Sequence, residues 1–341
     1  MQNECLVALR KQWTNIAVGS SCTTLGLSIL DALLSFPDRI PSIPTSDPRP
    51  EIFVEGQNIT LNDIVSDLIA QTRCDFYDVK YDVCDETVGV SRTELIAALP
   101  STLRPTNCTL PLQSYSVSTL ASRPNSIREY NFRIPKDVGM HAVYEEDEGR
   151  PLWNSSLCLT GSLADIHLDY CGTTRLVVNI QCNQLWLLWP ATPHNLAWWN
   201  KSCMRSSHKV STVDAIKGMR GLEMLHANGP QAFILPPYHF HTVITFDTSA
   251  HASISLWGFR WSDQFRRGFK WVIDFATNYQ GYNTSSEEVE KILISIQQTG
   301  LDGWMAVAET FSEQPQADEL RNWVTFAAEN IQSALSIIRT S

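Results

Sequence analysis

Residues 164–190 read ADIHLDYCGTTRLVVNIQCNQLWLLWP, and this stretch decides the fold class. It predicts three short β-strands, because its apolar or alternating runs are separated by Gly, Thr, Asn and Gln. Similar runs occur on both sides of it: SLCLTG (156–161), AFILPP (232–237), FHTVITF (240–246) and ASISLWGF (252–259). We therefore expect residues 126–262 to form an antiparallel β sandwich or barrel. An insert near 194–228, polar and Trp-rich at its start, is interpreted as a lid or a surface excursion.

Helical patterns flank this β region on both sides. Residues 1–125 are mostly helical in pattern and are broken by prolines, and residues 263–341 return to helical spacing. Near the end of the chain, apolar residues recur every three or four positions, as one buried face of a helix requires. They are Leu320, Trp323, Val324, Ala327, Ile331, Ala334, Leu335 and Ile338. We expect this stripe to cover either the β region or a second copy of the chain in a homodimer.

Composition disfavours several classes of protein. The chain has 341 residues, of which 43% are hydrophobic and 18% charged, so neither disorder nor a coiled coil is expected. Its formal net charge of −10 disfavours nucleic acid as a partner, because a negative field repels phosphate. No apolar run approaches the roughly 20 residues that span a bilayer, so we expect no membrane association. The nine cysteines form no C-x-x-C pair, and the N-terminus lacks the apolar core of a signal peptide. These features predict an intracellular, cytoplasmic protein with reduced thiols.

The histidines carry the main chemical signal, because several common motifs are missing from the sequence. It contains no Walker A loop, no G-x-G-x-x-G, no G-x-S-x-G and no H-E-x-x-H. His167 and Asp169 lie two apart in an apparent strand, so both side chains point to the same face and can reach one ion. Much later in the chain, His239 and His241 open another strand that can supply a third ligand. Two histidines and one carboxylate are the ligands of non-haem Fe(II) oxygenases.

Two separated segments resemble motifs of the JmjC family of cupin-fold oxygenases. HLDYCGTTRLVVNIQCNQLWLLWP (167–190) is similar to that family's first metal-binding strand and the aliphatic strand after it. GPQAFILPPYHFHTVITF (229–246) is similar to its Pro-Pro-x-x-x-His-x-Val segment, and ASISLWGFRW (252–261) resembles the closing strand. The two motifs occur in the family's order and at a plausible interval.

This resemblance implies a fold and a metal site. The fold is a double-stranded β-helix (cupin) core with helical N- and C-terminal extensions. The metal is Fe(II), with His167, Asp169 and His241 as its ligands, and the co-substrates are 2-oxoglutarate and O2. His239 is the competitor of His241 for the third position, since both lie on one face of the strand; otherwise His239 is a residue of the surrounding pocket.

The sequence departs from the family at the position that usually holds the distal carboxylate of 2-oxoglutarate. The family has a lysine there, and this chain has Gln184. An amide donates hydrogen bonds but cannot balance a carboxylate in a dry pocket. Arg175 or Arg260 can replace the lysine; otherwise the substrate supplies all the electrons to Fe(II) and O2, or the site is degenerate. Polar residues on the strands that line this pocket are further candidates for co-substrate binding: Thr174, Asn179 and Ser255.

We expect an Fe(II)-dependent oxygenase that hydroxylates, desaturates or cyclises a small organic substrate. Tryptophans at Trp153, Trp186, Trp198 and Trp199 would suit a small, partly apolar molecule, or they belong to the core. The sequence shows no reader module beside the barrel, which disfavours a chromatin role. Three alternatives stay open: an Fe(II)/O2 oxidase that does not use 2-oxoglutarate, a protein hydroxylase or demethylase, and a non-catalytic cupin scaffold.

Overall fold

The computed structural model describes residues 2–16, 21–36, 153–158, 160–164, 166–168, 174–205, 210–229, 231–235, 238–257 and 314–340. It also describes short strands and isolated positions between 61 and 142 and between 270 and 309. Asp169 and Arg260 lie outside the described residues. For Thr174, Ser255 and Trp153 only the backbone is described.

The secondary structure of the described residues combines helices at both ends with strands and two further helices between them. The helices are α1 (Gln2–Thr14), α2 (Ser21–Ser35), α3 (Pro193–Arg205), α4 (Thr212–Gly218) and α5 (Gln314–Thr340). The strands are β1 (Cys74–Tyr77), β2 (Val79–Lys80), β3 (Val83–Cys84), β4 (Val88–Val90), β5 (Thr119–Ser122), β6 (His141–Ala142), β7 (Trp153–Cys158), β8 (His167–Leu168), β9 (Thr174–Pro190), β10 (Glu223–Asn228), β11 (Gln231–Leu235) and β12 (His239–Trp257).

Ten of these strands form one sheet, in which every pairing between described strands is antiparallel. The strand order is β10-β9-β12-β7-β5-β1-β4. β11 also pairs with β9, and β6 and β8 pair with β12, so β9 and β12 form the centre of the sheet. The prediction of a mixed fold, with antiparallel strands and a helical C-terminal region, is confirmed.

β9 and β12 are longer than the sequence pattern indicates, because each one joins two predicted strands. The polar residues Gln181 and Asn183 in β9 and Asp247 in β12 look like loop residues in the sequence. The pairing of the two strands shifts register at this point instead of ending, as in a β-bulge. The shift also explains why Val177 and Trp186 pack in one cluster, although an uninterrupted strand would place them on opposite faces.

The two faces of the β9–β12 pair have different neighbours. One face carries Leu187 and Trp189, which pack in the large hydrophobic core with both helical ends of the chain; we call it the Trp189 face. The other face carries Trp186 and Val243, which belong to a second and smaller cluster. We call it the His241 face, since His241 stacks on Trp186 there.

α1 and α2 pack against the Trp189 face. Trp13 of α1 is fully buried, and its ring lies 5.4 Å from that of Phe246 in β12, at an interplanar angle of 82°. A Cβ atom at Gly26 of α2 would overlap the indole of Trp13. The missing side chain therefore lets the two helices approach closely enough to enclose this tryptophan.

The predicted insert near 194–228 contains α3, α4 and β10. β10 pairs with β9 along its whole length and so belongs to the sheet. Trp199 of α3 is buried, with its ring 4.8 Å from that of Phe240. Trp198 packs so closely over Gly218 that a Cβ atom there would overlap its indole. Both tryptophans therefore contribute to packing.

α5 buries its apolar stripe within the same chain. The buried members of the stripe are Leu320, Val324, Ala327, Ile331, Ala334 and Leu335, and all of them belong to the large core. Packing within one chain therefore accounts for the burial of these residues, and the homodimer stays a prediction. Among the helices of the described residues, none has the length and apolar character needed to cross a bilayer.

Candidate functional site

His167 and His241 lie side by side on neighbouring strands. β8 pairs with β12 so that His167 is directly opposite His241, and directly opposed residues of antiparallel strands share a face. The centroids of the two imidazole rings are 4.1 Å apart. His241 is only 5% exposed, whereas His167 is open to solvent. The pair therefore presents two imidazoles at one edge of the His241 face.

The protonation of the His241 ring is fixed by a backbone contact. Its Nδ1 lies 3.0 Å from the carbonyl oxygen of His239. A carbonyl oxygen only accepts hydrogen bonds, so Nδ1 carries the proton and donates it, and in the neutral ring Nε2 is the nitrogen with the lone pair. This is the tautomer in which a histidine binds a metal ion, with its other nitrogen oriented by a second group.

The two candidates for the third ligand differ in their described contacts. His239 lies opposite Pro190 of β9, and its carbonyl orients His241, whose ring meets that of His167. The carboxylate expected from Asp169 lies outside the described residues. Within the described part of the chain, no three His, Cys, Asp or Glu side chains form a metal-binding group. The two described imidazoles are the donors that Fe(II) takes from histidine in a two-histidine, one-carboxylate site.

An aromatic cluster continues from His241 along the same face. Trp186 stacks on His241 at 6.3 Å and 20°, and it meets Phe233 edge-on at 5.0 Å. It also meets the ring of His251, at a centroid distance of 6.0 Å. The remaining members of the cluster are apolar: Val177, Cys182, Ala227 and Val243, with Ala164 and Leu225 packed against them. The histidine pair thus borders a low-polarity surface, on which an electrostatic contact is stronger than in water.

Polar atoms on this surface lack hydrogen-bond partners among the described residues. They are both amide atoms of Asn179, Oε1 of Gln184, Nε1 of Trp186 and Nδ1 of His251, and each atom is inaccessible to solvent. The other amide atom of Gln184 donates to Oγ1 of Thr245 at 3.3 Å. Leaving a buried polar atom unpaired costs about 1–3 kcal/mol. Several such atoms on one surface make it a candidate site for a polar ligand or bound water.

Arg175 brings a positive charge to the far end of this surface. Burial, together with the charge of Arg175, lowers the pKa of His251 to about 4. His251 is therefore neutral at physiological pH, and the guanidinium of Arg175 contributes a positive charge near it. Asn179 lies directly opposite His251, and Arg175 lies four residues before Asn179 on the same strand, so the two side chains share a face.

The residues predicted to bind a co-substrate divide into three groups. Arg175, Asn179 and Gln184 lie on the His241 face, at positions spread over ten residues of β9. The backbones of Ser255 and Thr174 lie in β12 and β9, opposite Arg175 and Leu256 respectively. Arg260 lies outside the described residues.

Sequence reasoning passed over His251 and Phe233. His251 carries a detectable signal: with Ser253 and Ser255 it places polar residues at every second position of a strand that is otherwise apolar. Phe233 carries none, because its role follows from the pairing of β11 with β9 opposite Val177.

A scan against protein-family models finds no match to this chain, and a search of curated proteins finds no similar sequence.

Proposed function

We propose that the chain is a non-haem Fe(II)-dependent oxygenase, resembling the JmjC and cupin enzymes, that uses 2-oxoglutarate and O2 to oxidise a small organic substrate. The observation that carries the proposal is the His167–His241 pair, with the metal-binding tautomer of His241 set by the carbonyl of His239. The architecture proposed for the sheet is a double-stranded β-helix. Asp169 is the proposed third ligand.

The residues of the His241 face have separate roles in this proposal. His167 and His241 hold the metal ion through ring nitrogens. Arg175 binds the distal carboxylate of 2-oxoglutarate, because its planar guanidinium can form two parallel hydrogen bonds with a carboxylate. Asn179 and Gln184 supply buried amide atoms that can bond to the remaining oxygens of the ligand.

The aromatic part of the face keeps water out and orients the substrate. Trp186 and Phe233 form an apolar surface beside the histidine pair. When bound, Fe(II) with 2-oxoglutarate and O2 supplies oxidising power for hydroxylation, desaturation or ring formation. The protein's own part is to position the substrate next to His167 and His241 and to limit access of solvent.

The test is an anaerobic Fe(II) titration of metal-free protein with and without 2-oxoglutarate, followed by visible absorption. A charge-transfer band that requires both additions is the expected result. His167→Ala and His241→Ala should each weaken Fe(II) binding by about 100-fold or more, since even the loss of a group that orients a ligand costs up to that much. His194→Ala is the matched control, because His194 is an exposed histidine on α3.

Arg175→Gln should still bind iron but should not show the charge-transfer band. Other results of the titration would support the other functions. Iron binding without the band in the native protein would overturn the role of 2-oxoglutarate and favour an oxidase that takes all electrons from its substrate. If the protein binds no iron, the proposal of an enzyme is overturned and the non-catalytic cupin scaffold remains. A mass change on histone or other peptides, with none on small-molecule pools, would contradict the small-molecule substrate.

A further inference from the structure

A second cluster of chemically active side chains lies on the opposite side of β9 from the candidate metal site. Sγ of Cys5 in α1 is 3.7 Å from Nδ1 of His226 in β10. Nε2 of the same imidazole is 3.0 Å from Oδ1 of Asn183 in β9. Three elements that are distant in sequence therefore bring a thiol, an imidazole and an amide into one line.

Two more side chains fix the orientation of the amide. Nδ2 of Asn183 donates to Oδ2 of Asp247 at 2.8 Å and to Oε1 of Gln12 at 3.3 Å. Nε2 of Gln12 donates to the same carboxylate oxygen at 3.0 Å. An ionised carboxylate only accepts hydrogen bonds, so both amides must turn their NH2 groups toward Asp247. Oδ1 of Asn183 is then left to face the imidazole.

This orientation determines which nitrogen of His226 carries the proton. Oδ1 of Asn183 can only accept, so Nε2 of His226 is protonated and donates to it. Nδ1 of His226 consequently has a free lone pair and faces the thiol of Cys5. A base that is oriented by a third group and lies within reach of a nucleophile is the arrangement of an activated nucleophile. Thiol, imidazole and amide together are one of its recurring forms.

The surroundings keep Cys5 and His226 uncharged and leave the thiol accessible. Burial raises the pKa of the Cys5 thiol and lowers the pKa of His226. Cys5 is nevertheless only half-buried, and it lies in the first turn of α1, where the helix dipole favours a developing negative charge. Cys182 is a contrast within the same chain. It is buried against the carbonyls of Ala227 and Gly229, and burial raises its pKa to about 11.

We propose that Cys5, His226 and Asn183 form a nucleophilic thiol site that accepts an acyl group from an activated ester or thioester. The sulfur of Cys5 forms a bond to the carbonyl carbon while its proton passes to Nδ1 of His226. The bond from that carbon to the leaving oxygen or sulfur breaks, and the leaving group takes the proton from His226. The product is S-acylated Cys5, and no oxidant or reductant is needed. Asn183 is a positioning residue that holds the imidazole.

The site is independent of the proposed oxygenase. Asn183 and Gln184 are consecutive residues of β9, and only Gln184 lies on the His241 face. The thiol site needs neither metal nor 2-oxoglutarate, so either proposal can fail without the other.

The first test measures the rate at which chloroacetamide alkylates Cys5, peptide by peptide, from about pH 6 to about pH 8. Between the lowered pKa of the imidazole and the raised pKa of the thiol, Sγ of Cys5 and Nδ1 of His226 share one proton. The fraction of molecules in which this proton lies on Nδ1 and the sulfur is a thiolate therefore does not change with pH. We expect a nearly flat profile for Cys5. An ordinary thiol gains about tenfold per pH unit, as its thiolate fraction does. Cys182 in the same sample should be much slower.

The second test uses p-nitrophenyl acetate as the acyl donor. Cys5 should gain one acetyl group and release p-nitrophenolate in equal amount. His226→Gln should slow both the alkylation and the acetylation of Cys5 about tenfold or more near neutral pH. The alkylation rate of this variant should rise with pH as steeply as that of an ordinary thiol. His194→Gln is the control. A tenfold rise per pH unit for Cys5 in the native protein, or no acetyl group on its peptide, would overturn the proposal whether or not the variant folds.

Discussion

Replacing Gln184 by methionine should stabilise the metal-free protein and abolish co-substrate binding. The side chain is fully buried, and Oε1 has no hydrogen-bond partner among the described residues. Removing an unpaired buried acceptor gains about 1–3 kcal/mol, and losing the long bond to Thr245 costs about 0.5–1.5 kcal/mol. Methionine has nearly the same shape and adds no polar atom. The free energy of unfolding should therefore rise by about 1 kcal/mol.

The assay is urea unfolding of the metal-free protein, followed by fluorescence, with a matched control on the same strand. Gln181→Met makes the same substitution at an exposed position of β9 and should change the free energy of unfolding by less than about 0.5 kcal/mol. With Fe(II) present, 2-oxoglutarate should raise the unfolding midpoint of the native protein but not that of Gln184→Met. A loss of 1 kcal/mol or more in the metal-free variant would refute the reasoning, because it would mean that Oε1 is already paired without a ligand.

Two further predictions concern pH and packing. Because the folded protein holds His251 neutral, with a pKa of about 4, the unfolded chain binds a proton first as pH falls below the ordinary value of about 6.5. The contribution of His251 to native stability should therefore be fully present above that pH and decline below it. Between pH 7 and pH 5, His251→Gln should lose about 2 kcal/mol less stability than the native protein, measured by urea unfolding at both pH values. Equal losses in the two proteins would contradict this. Ile331→Ala on the buried stripe of α5 should cost about 2–5 kcal/mol, whereas Phe326→Ala, at a position 56% exposed, should cost less than about 0.5 kcal/mol; similar costs would mean that the stripe is not packed as described.

The sequence allowed β7, β8, β9, β11 and β12 to be found but not the lengths of the two central strands. It did not predict β10, which lies in the segment interpreted as a lid, or the short strands β1–β6. Alternation identifies a strand only where it is unbroken, and the polar run from Gln181 to Asn183 has the composition of a turn. In the structure this run continues β9, because the register shift opposite Asp247 absorbs the extra residues. The shift depends on how two distant strands pair, and a local pattern carries no record of that pairing.

The sequence likewise predicted only some residues of the candidate sites. His167 was a candidate because two spaced ligands on one strand leave a local pattern, and His241 because its segment resembles a known motif. The position of His251 beside Arg175 and Trp186 depends on pairing across the sheet. The contact between Cys5 and His226 joins residues 221 positions apart, and neither residue has a motif around it. Such contacts follow from the assembled fold alone.

The contact of α1 with the central strands also constrains the order in which the chain can fold. The partner of Gln12 on β12 lies 235 residues further along the chain. A ribosome adds roughly 5–20 residues per second, so α1 waits on the order of ten seconds or more before β12 has been made. During that time its apolar side, which includes Trp13, has no sheet to pack against. We therefore expect the first two helices to need a chaperone or each other during synthesis, and refolding of the complete chain to be slow because its closing contacts are so far apart in sequence.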